Sequence, residues 1–395
     1  MVLTYRQRLL PSKRQHIALL WLCEQQRQLY NAALEERIDC YRKTGRSLSF
    51  VDQAKSLTVC RRELTEEMGA LPLRLQRWTL KRLDDAFVGF FRRLKARDGC
   101  AGFPRFRNRN RWSSFGFDEF SGIRWDGKRL RFAGLPGGLR VHLHRSLPPK
   151  TDIRSCVFRR DGRGWYVGFQ VAVAMMEKRV VRTAVGVDLG LKVFAHCSDG
   201  VILPNPHVAR RVKQELRRRQ RALARCKRGS NRRCKARERV ARLHRKVINV
   251  RNTWLHQRSA ELVSRADLIA VEDLNVKGMI RHPKLARSIS DVGWSRFVAM
   301  LAYKAERAGA HLIRVDPRNT SQRCSGCGEL VPKSLAVRTH ACPSCGLTID
   351  RDRNAARNIL LAAVVGRGAD NVTHRGERRP GNIGLVLAET LQGFR

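Results

Sequence analysis

The sequence predicts an α/β protein built from several domains, and three changes in residue pattern support this prediction. Apolar residues recur at helical spacing from Ile17 to about Lys95. Short alternating runs separated by Asp-Gly and Pro-Gly turns occupy residues 112–173, which is typical of antiparallel strands. From Ala184 onward, strand patterns alternate with helical patterns. A chain of 395 residues has room for about two or three domains.

The first strand-like run, Val2 to Leu10, has no other strand near it in the sequence. Pro11 and Ser12 end this run, and the helical region that follows extends to the Gly- and Pro-containing segment 99–109. We therefore predict that Val2 to Leu10 pairs with the antiparallel sheet of residues 112–173, with the helices inserted between them.

The C-terminal half has the predicted element order β-β-β-α-β-α-β-α. Three short strands up to Leu203 form a meander, and a long helical stretch from about Ala209 to Val263 is broken once, near Gly229. The elements that follow are a strand at Leu268 to Glu272, a loop at Asn275 to Ser290, a helix at Trp294 to Ala308 and a strand at His311 to Val315. With a final helix after the cysteine-rich segment, this is the order of an RNase H-like fold.

The chain is strongly basic, with 80 Lys and Arg residues against 34 Asp and Glu residues and a formal net charge of +46. Nucleic acid is the expected partner. Each phosphate that a basic residue neutralises releases condensed counterions, and this release favours binding. An anionic membrane is the alternative. However, no apolar run approaches the roughly 18 residues that span a bilayer, and the N-terminal residues lack the apolar core of a secretory leader. We expect a reducing, cytoplasmic compartment.

The positive charge is concentrated between Arg210 and Lys246, where 18 Lys or Arg residues stand against two Glu residues. This segment is predicted to form an antiparallel helical hairpin, which we call the basic hairpin. A solvated helix face is the alternative interpretation, but such faces usually mix charges of both signs. We therefore predict contact with a polyanion. The candidate nucleic-acid-binding residues are Arg217, Arg218, Arg221 and Arg225.

Two C-x-x-C pairs separated by 14 residues form the sharpest local motif. We call these residues the cysteine cluster: Cys324, Cys327, Cys342 and Cys345. Four thiolates at this spacing suit tetrahedral Zn²⁺, and Gly328 and Gly346 relieve crowding of the backbone around the metal. Two local disulfides or a redox C-x-x-C would need an oxidising compartment or a thioredoxin-like context, and the sequence indicates neither. We predict a structural zinc site.

Two acidic residues lie at the ends of predicted strands. Asp188 ends the strand that begins at Ala184, and Glu272 ends the strand that begins at Leu268. If these strands are neighbours, the two carboxylates meet at the rim of the sheet, and such hard oxygen ligands bind Mg²⁺ or Mn²⁺. An acid at a strand end is also a common turn former, and Asp273 is an alternative to Glu272.

A third acid follows the cysteine cluster, at Asp350 or Asp352. If a helix starts near Arg351, residues 352, 355, 356, 359, 360 and 363 share one apolar stripe, and Asp352 is its first member. This stripe should pack on the sheet beside Ala184, Gly186 and Ala270, small residues that leave room for a helix. Asp350 is instead suited to be the N-cap. We predict that Asp352 joins Asp188 and Glu272.

Four segments resemble the split RuvC nuclease motifs and the zinc ribbon of the TnpB family, whose members accompany bacterial insertion sequences and are similar to type V CRISPR effectors. The segments are Gly186–Gly190, Val271–Asn275, Thr320–Gly328 and Asp350–Ala356. The N-terminal part also resembles this family, at Tyr5-Arg6, Leu10-Pro11, Tyr30–Leu34 and Gly102–Phe106. The resemblance covers residues 1 to about 365.

The resemblance implies a division into domains that the patterns above do not specify. It implies a wedge-type β domain at 1–10 and 104–180, a helical recognition lobe at 11–103, a RuvC-like nuclease domain at 181–316 and 347–366, and a zinc ribbon at 317–346. Asp188, Glu272 and Asp352 fall on the family's catalytic positions. Residues 367–395 have no counterpart, and we predict that they are disordered.

The function that the resemblance implies is RNA-guided cleavage of double-stranded DNA. The expected cofactors are Mg²⁺ or Mn²⁺ on the three carboxylates, a structural Zn²⁺, and a guide RNA made from the transposon end. We expect a monomer on its RNA, associated with the bacterial nucleoid. Three alternatives are a nuclease-inactive RNA-guided regulator, a transposase with an RNase H-like core, and an RNA-binding protein without catalysis. The third explains the charge but not the acids.

Overall fold

The computed structural model describes residues 1–96, 101–144, 146–147, 152–162, 164–334 and 336–370. The chain divides into two compact units, Met1–Val173 and Ala174–Arg395. The family resemblance implies a domain boundary after residue 180. Residues 178 and 179 contact the second unit, because the backbone N–H of Arg179 donates to the carbonyl of Gly309, and the amino group of Lys178 donates to the carbonyl of Ala310. These bonds tie the connecting segment to the second unit.

The first unit combines a β-sheet with three inserted helices. Its strands are β1 Val2–Leu10, β2 Ser114–Phe117, β3 Arg124–Trp125, β4 Arg129–Arg131, β5 Leu139–His142, β6 Ile153–Asp161 and β7 Gly164–Ala172. Its helices are α1 Lys13–Thr44, α2 Phe50–Glu63 and α3 Leu73–Lys95. Capping boxes at Ser12 and Ser49 begin the first two helices, and Gly45 ends α1 at a φ of 68°.

The seven strands form one antiparallel sheet in the order β2-β6-β7-β1-β5-β4-β3. β1 therefore lies inside the sheet, paired with β7 from Val2↔Ala172 to Leu9↔Trp165 and with β5 at Arg8↔His142. The prediction that Val2 to Leu10 pairs with this sheet is confirmed. Buried aromatic side chains fill the core, and the rings of Phe115 and Phe158 stack 4.9 Å apart.

The second unit is built around a five-stranded sheet. Its strands are β8 Ala184–Leu189, β9 Val193–Cys197, β10 Ile202–Pro204, β11 Leu268–Glu272 and β12 His311–Val315, with a separate hairpin of β13 Thr339–Ala341 and β14 Thr348–Asp350. Its helices are α4 Val208–Arg211, α5 Lys213–Ala224, α6 Asn231–Arg265, α7 Val276–Met279, α8 Ala286–Val292, α9 Trp294–Ala308 and α10 Arg351–Asp370.

The strand order β10-β9-β8-β11-β12 places the first strand of this unit in the middle of the sheet. β8, β11 and β12 are parallel, while β9 is antiparallel to β8 and β10 is antiparallel to β9. Alternate side chains of β8 and β11 face opposite sides, so Val187 and Val271 enter one core with α6 and α9. Leu268 and Ala270 enter a second core with α10.

Three predicted elements differ from the structure. The predicted loop at Asn275 to Ser290 contains α7, capped by the side chain of Asn275, and most of α8, which buries Ile289 and ends at Gly293. The basic stretch has an additional break at Val212. The segment predicted as disordered from residue 367 begins inside α10, which continues to Asp370, and residues 371–395 lie outside the described residues.

Among the described residues, none of the helices has both the length and the apolar composition that a bilayer crossing requires.

Candidate functional site

The three predicted acids Asp188, Glu272 and Asp352 line one cavity of about 510 Å³ in the second unit. We call them the carboxylate site. Each comes from a different element: Asp188 from β8, Glu272 from β11 and Asp352 from the first turn of α10. Asp188 is the penultimate residue of its strand rather than the last, because β8 continues to Leu189.

Strand register explains why two of these acids meet. β8 and β11 are adjacent and parallel, with Gly186 opposite Ala270 and Val187 opposite Val271. One residue further along, both strands carry an acid, at Asp188 and Glu272. Parallel strands end at the same edge of a sheet, so the two carboxylates lie at one rim.

Close packing of α10 on the sheet brings the third acid to the same rim. A Cβ atom at Gly186 would lie 2.0 Å from the carbonyl oxygen of Ala356, so only glycine allows this approach. Ala355, Ala356 and Ile359 are all buried on this face of the helix. The predicted apolar stripe of α10 is confirmed.

The two acids at the start of α10 have different roles in the structure. Oδ1 of Asp350 accepts hydrogen bonds from the backbone N–H groups of Asp352, at 2.9 Å, and Arg353, at 3.0 Å. Asp350 is therefore the N-cap, as predicted. The side chain of Asp352 is 21% exposed and turns towards the cavity, where Arg338 and Arg351 contact it.

Burial and mutual repulsion dominate the electrostatics of the carboxylate site. Burial raises the pKa of Asp188 well above its usual range, and the neighbouring carboxylates of Glu272 and Asp352 raise it further. Burial also raises the pKa of Glu272, an effect that a hydrogen bond from the Thr320 hydroxyl opposes. The negative charge at this rim is therefore incompletely compensated by the protein.

Two arginines supply part of the compensating charge. Nη1 of Arg338 lies 3.0 Å from Oδ2 of Asp352, and Nη2 of Arg351 lies 2.9 Å from Oδ1 of the same carboxylate. The alternative acid Asp273 follows the last residue of β11, and it is not among the residues that line this cavity. Its side chain is 65% exposed, and its Oδ1 atom lies 3.5 Å from Nη1 of Arg314.

Sequence reasoning missed His196, Arg338 and Thr320 at this cavity or beside it. His196 is directly opposite Asp188 in the β8–β9 pair, and its Nδ1 atom lies 3.8 Å from Oδ2 of Asp352. In the sequence, only the short connection Gly190–Lys192 separates the two strand patterns. Such a short connection predicts an antiparallel pair and limits its register. No local pattern indicates Arg338 or Thr320, because their partners are distant in sequence.

The cysteine cluster brings all four predicted sulfur atoms within 4.8 Å of one another. The close pairs join the two knuckles: Sγ of Cys324 is 3.6 Å from that of Cys345, and Sγ of Cys327 is 3.5 Å from that of Cys342. These distances exceed the roughly 2.05 Å of a disulfide, and all four cysteines are free thiols, so neither knuckle contains a local bridge. At each knuckle a glycine with positive φ completes the turn, at 84° for Gly328 and 70° for Gly346.

The basic hairpin is formed by α5 and the first half of α6, which pack side by side. Arg233 has a structural role, since its Nη1 atom donates to the carbonyls of Leu223 at 3.1 Å and Cys226 at 3.0 Å and so closes the end of α5. The four predicted nucleic-acid contacts are all exposed: Arg217, Arg218, Arg221 and Arg225. Their guanidinium groups are accessible to an extended polyanion.

Two family models match the second unit and the short segment before it. A model described as "Probable transposase" (OrfB_IS605) matches residues 170–282. A model described as "Cas12f1-like, TNB domain" matches residues 294–359, a range that contains the cysteine cluster and Asp352. Together, these ranges contain all three residues of the carboxylate site.

Relatives and a solved structure extend the similarity to most of the chain. A protein of Streptomyces pristinaespiralis, named "Putative RNA-guided DNA endonuclease", is 32% identical over 345 residues, or 86% of this chain and 83% of that protein. A protein of Escherichia coli K12, named "Putative RNA-guided DNA endonuclease InsQ", is 28% identical over 72% of this chain and 73% of that protein.

The similarity in fold agrees with the similarity in sequence. A cryo-EM structure of a Cas12f1–sgRNA–target DNA complex has a TM-score of 0.59 at 16% identity, over 87% of this chain and 82% of that chain. The α/β fold with mixed sheets is therefore that of the Cas12f-type effectors. Since the identity to the Streptomyces protein extends along nearly the whole chain rather than one motif, the protein belongs to the TnpB family of transposon-associated RNA-guided DNA endonucleases.

Proposed function

We propose that this protein is an RNA-guided DNA endonuclease associated with an insertion sequence, and that it hydrolyses DNA phosphodiester bonds at the carboxylate site. One observation carries the proposal: Asp188, Glu272 and Asp352 converge on one cavity from three separate elements. A fold gains no stability from burying like charges together, as the raised pKa of Asp188 indicates. Such an arrangement supports a role in chemistry.

The donor set fits a hard divalent cation. Carboxylate oxygens are the ligands that Mg²⁺ and Mn²⁺ prefer, and a cation would relieve the repulsion that raises the pKa of Asp188. Asp188, Glu272 and Asp352 would hold Mg²⁺ or Mn²⁺. When bound, such an ion lowers the pKa of a water molecule and stabilises charge on the leaving 3′ oxygen. The protein contributes the fixed rim of the sheet and the first turn of α10.

The proposal includes a finer description of the domains. The strand order β10-β9-β8-β11-β12, with α10 packed against β8, supports an RNase H-like, RuvC-type nuclease domain. The cysteine cluster would hold a structural Zn²⁺, since its four thiol groups leave no open position for substrate. In the first unit, the seven-stranded sheet would be the wedge-type domain and α1–α3 the recognition lobe.

The proposed partners are a guide RNA and double-stranded target DNA, bound by a monomer in the cytoplasm at the nucleoid. Base pairing with the guide would select the target, while the protein would contact the heteroduplex through its shape and phosphates. The exposed arginines of the basic hairpin suit phosphate contacts, because charge neutralisation there carries no sequence preference.

The proposal is tested by a cleavage assay on the purified protein with its co-expressed RNA. We expect the complex to cut a plasmid that contains the matching target in the presence of Mg²⁺, and not to cut a plasmid with a scrambled target. RNA-free protein should show little specific cleavage. Asp188→Asn should retain RNA and target binding while losing cleavage. Sequence-specific cutting by RNA-free protein would contradict the proposal.

The same assay distinguishes the alternatives. A nuclease-inactive regulator would bind the matching target and leave it intact under all metal conditions. A transposase would join the released 3′ ends to new DNA, so strand-transfer products would accumulate in place of linear plasmid. Either result would contradict the proposed function and support the corresponding alternative.

A further inference from the structure

A buried hydrogen-bonded path connects the helix that carries Asp352 to the side chain of Glu272. It begins at Thr320, in the loop between β12 and the cysteine cluster. The hydroxyl of Thr320 lies 2.6 Å from Oε1 of Glu272 and donates to it. Thr320 is only 8% exposed, so water cannot readily replace this bond. The orientation of the Glu272 carboxylate therefore depends on where the backbone of Thr320 lies.

The backbone of this loop is held by two asparagines of α10. Nδ2 of Asn358 donates to the carbonyl of Thr320 at 2.8 Å and to the carbonyl of Arg323 at 2.6 Å. Nδ2 of Asn354 also donates to the carbonyl of Arg323, at 2.7 Å. Both asparagines are buried, and a residue pair four apart lies on one face of a helix.

Asn354 also fixes the backbone of the first cysteine knuckle. Oδ1 of Asn354 accepts from the backbone N–H of Ser325 at 2.9 Å, so Asn354 bonds to the residues immediately before and after Cys324. Asn354 is fully buried and Cys324 is 1% exposed. The first cysteine knuckle, the Thr320 loop and α10 therefore form one hydrogen-bonded assembly.

We propose that Thr320 is a positioning residue for Glu272, and that Asn354 and Asn358 keep this contact in register with Asp352. The inference rests on the proposed function of the carboxylate site. α10 carries Asp352 directly and sets Glu272 through Asn358 and Thr320, so one helix fixes the spacing of two carboxylates that come from different elements. The same coupling makes the geometry of the carboxylate site sensitive to the cysteine knuckle.

The chemistry of threonine suits this role. A hydroxyl has a single hydrogen to donate, and the alternative acceptor, the carbonyl of Pro317, is further away at 3.1 Å. The β-branched side chain also has few rotamers, so the hydroxyl is held in place. A carboxylate held in one orientation is prepared for metal binding.

The test compares Thr320→Val, which keeps the shape and removes the hydroxyl, with Thr320→Ser, which keeps the hydroxyl. Both are made in the full chain and purified with the guide RNA. We expect Thr320→Val to weaken Mn²⁺ binding, measured by electron paramagnetic resonance, and to slow cleavage at limiting Mg²⁺, each by about 10- to 100-fold. Thr320→Ser should remain close to wild type. Zinc content and RNA co-purification should be unchanged in both.

Two results would overturn the proposal. One is wild-type Mn²⁺ affinity and cleavage in Thr320→Val; the other is a Thr320→Ser variant as impaired as Thr320→Val, which would assign the effect to packing. If Thr320→Val loses zinc or RNA, Thr320→Ala removes the hydroxyl with less steric demand. The same loss in Thr320→Ala would show a folding role instead.

Failure of this inference is distinguishable from failure of the proposed function. If the wild-type complex does not cut a guided target, the proposed function fails, while the Mn²⁺ comparison of the two Thr320 variants still tests the contact with Glu272. If the wild type cuts and Asp188→Asn does not, but Thr320→Val behaves as wild type in both measurements, only the positioning role fails.

Discussion

The carboxylate of Asp350 accepts hydrogen bonds from the backbone N–H of Asp352, so one acid caps the helix that presents the other. Loss of each acid should have a different effect. Asp350→Ala should lower the free energy of unfolding by about 1 kcal/mol and retain most of the cleavage activity. Asp352→Asn should abolish cleavage and retain RNA-guided binding.

The comparison is made by thermal unfolding and by plasmid cleavage on the same preparations. Asp350→Ser is the matched control, because serine is also a good N-cap and should restore stability. If Asp350→Ala folds stably and is inactive while Asp352→Asn still cuts, the assignment of the two acids is wrong.

The cysteine cluster should contain about one Zn²⁺ per chain. The backbone N–H of Cys345, and more weakly that of Ser344, lower the pKa of the Cys342 thiol, which favours the thiolate that binds a metal. Cys342→Ser should lose the metal and destabilise the start of α10, since zinc binding supplies folding energy. Metal analysis and limited proteolysis measure the two effects, with Cys234→Ser, at an exposed cysteine outside the cluster, as the control.

The basic hairpin should set the salt dependence of nucleic-acid binding. Replacing Arg217, Arg218, Arg221 and Arg225 by glutamate should weaken binding and reduce the slope of log K against log salt by about 0.9 for each lost contact with duplex phosphate. A control variant with lysine at the same four positions keeps the positive charge, so its slope of log K against log salt should be unchanged. An unchanged slope in the glutamate variant would remove these four residues from the interface.

The contribution of Asp188 to the stability of the protein in Mg²⁺-free buffer should fall as pH rises from about 4 towards neutrality. The folded-state pKa of Asp188 is raised, so between the unfolded and folded pKa values the folded state binds more protons than the unfolded state. The contribution of this group is at most about 1.4 kcal/mol per pH unit. It is favourable at low pH and is lost as pH rises through the folded pKa.

Asp188→Asn should remove the contribution of this group and raise the melting temperature at pH 7.5, although the variant is expected to be inactive. Thermal unfolding at several pH values measures both effects. Equal melting temperatures for wild type and Asp188→Asn at all pH values would show that the buried charge does not lower the stability of the folded protein.

Periodicity in the sequence was sufficient to place all three acids on their elements, although β8 ends one residue later than predicted. The stripe that begins at Asp352 predicted the buried face of α10, and the strand ending at Glu272 has the predicted bounds. These predictions succeed because side-chain direction follows the local backbone. The pairing of Val2 to Leu10 followed from a strand that lacked a local partner.

Contacts between distant segments could not be predicted in the same way. Thr320 and Glu272 are 48 residues apart, and Arg338 and Asp352 are separated by a hairpin. Such pairs depend on how the loop and the hairpin pack, and no period in the sequence encodes that. The short helices α7 and α8 were missed because α7, at four residues, and α8, at seven, are too short to show a clear period.

The central position of β1 has a consequence for synthesis. Val2 emerges from the ribosome long before Ala172, its partner in the ladder. At about 5–20 residues per second, roughly ten to thirty seconds separate them. The helices α1–α3 depend more on local contacts and can form within this interval, whereas both edges of β1 stay unpaired. The rate of translation through β5 to β7 should therefore influence how much soluble protein a cell recovers.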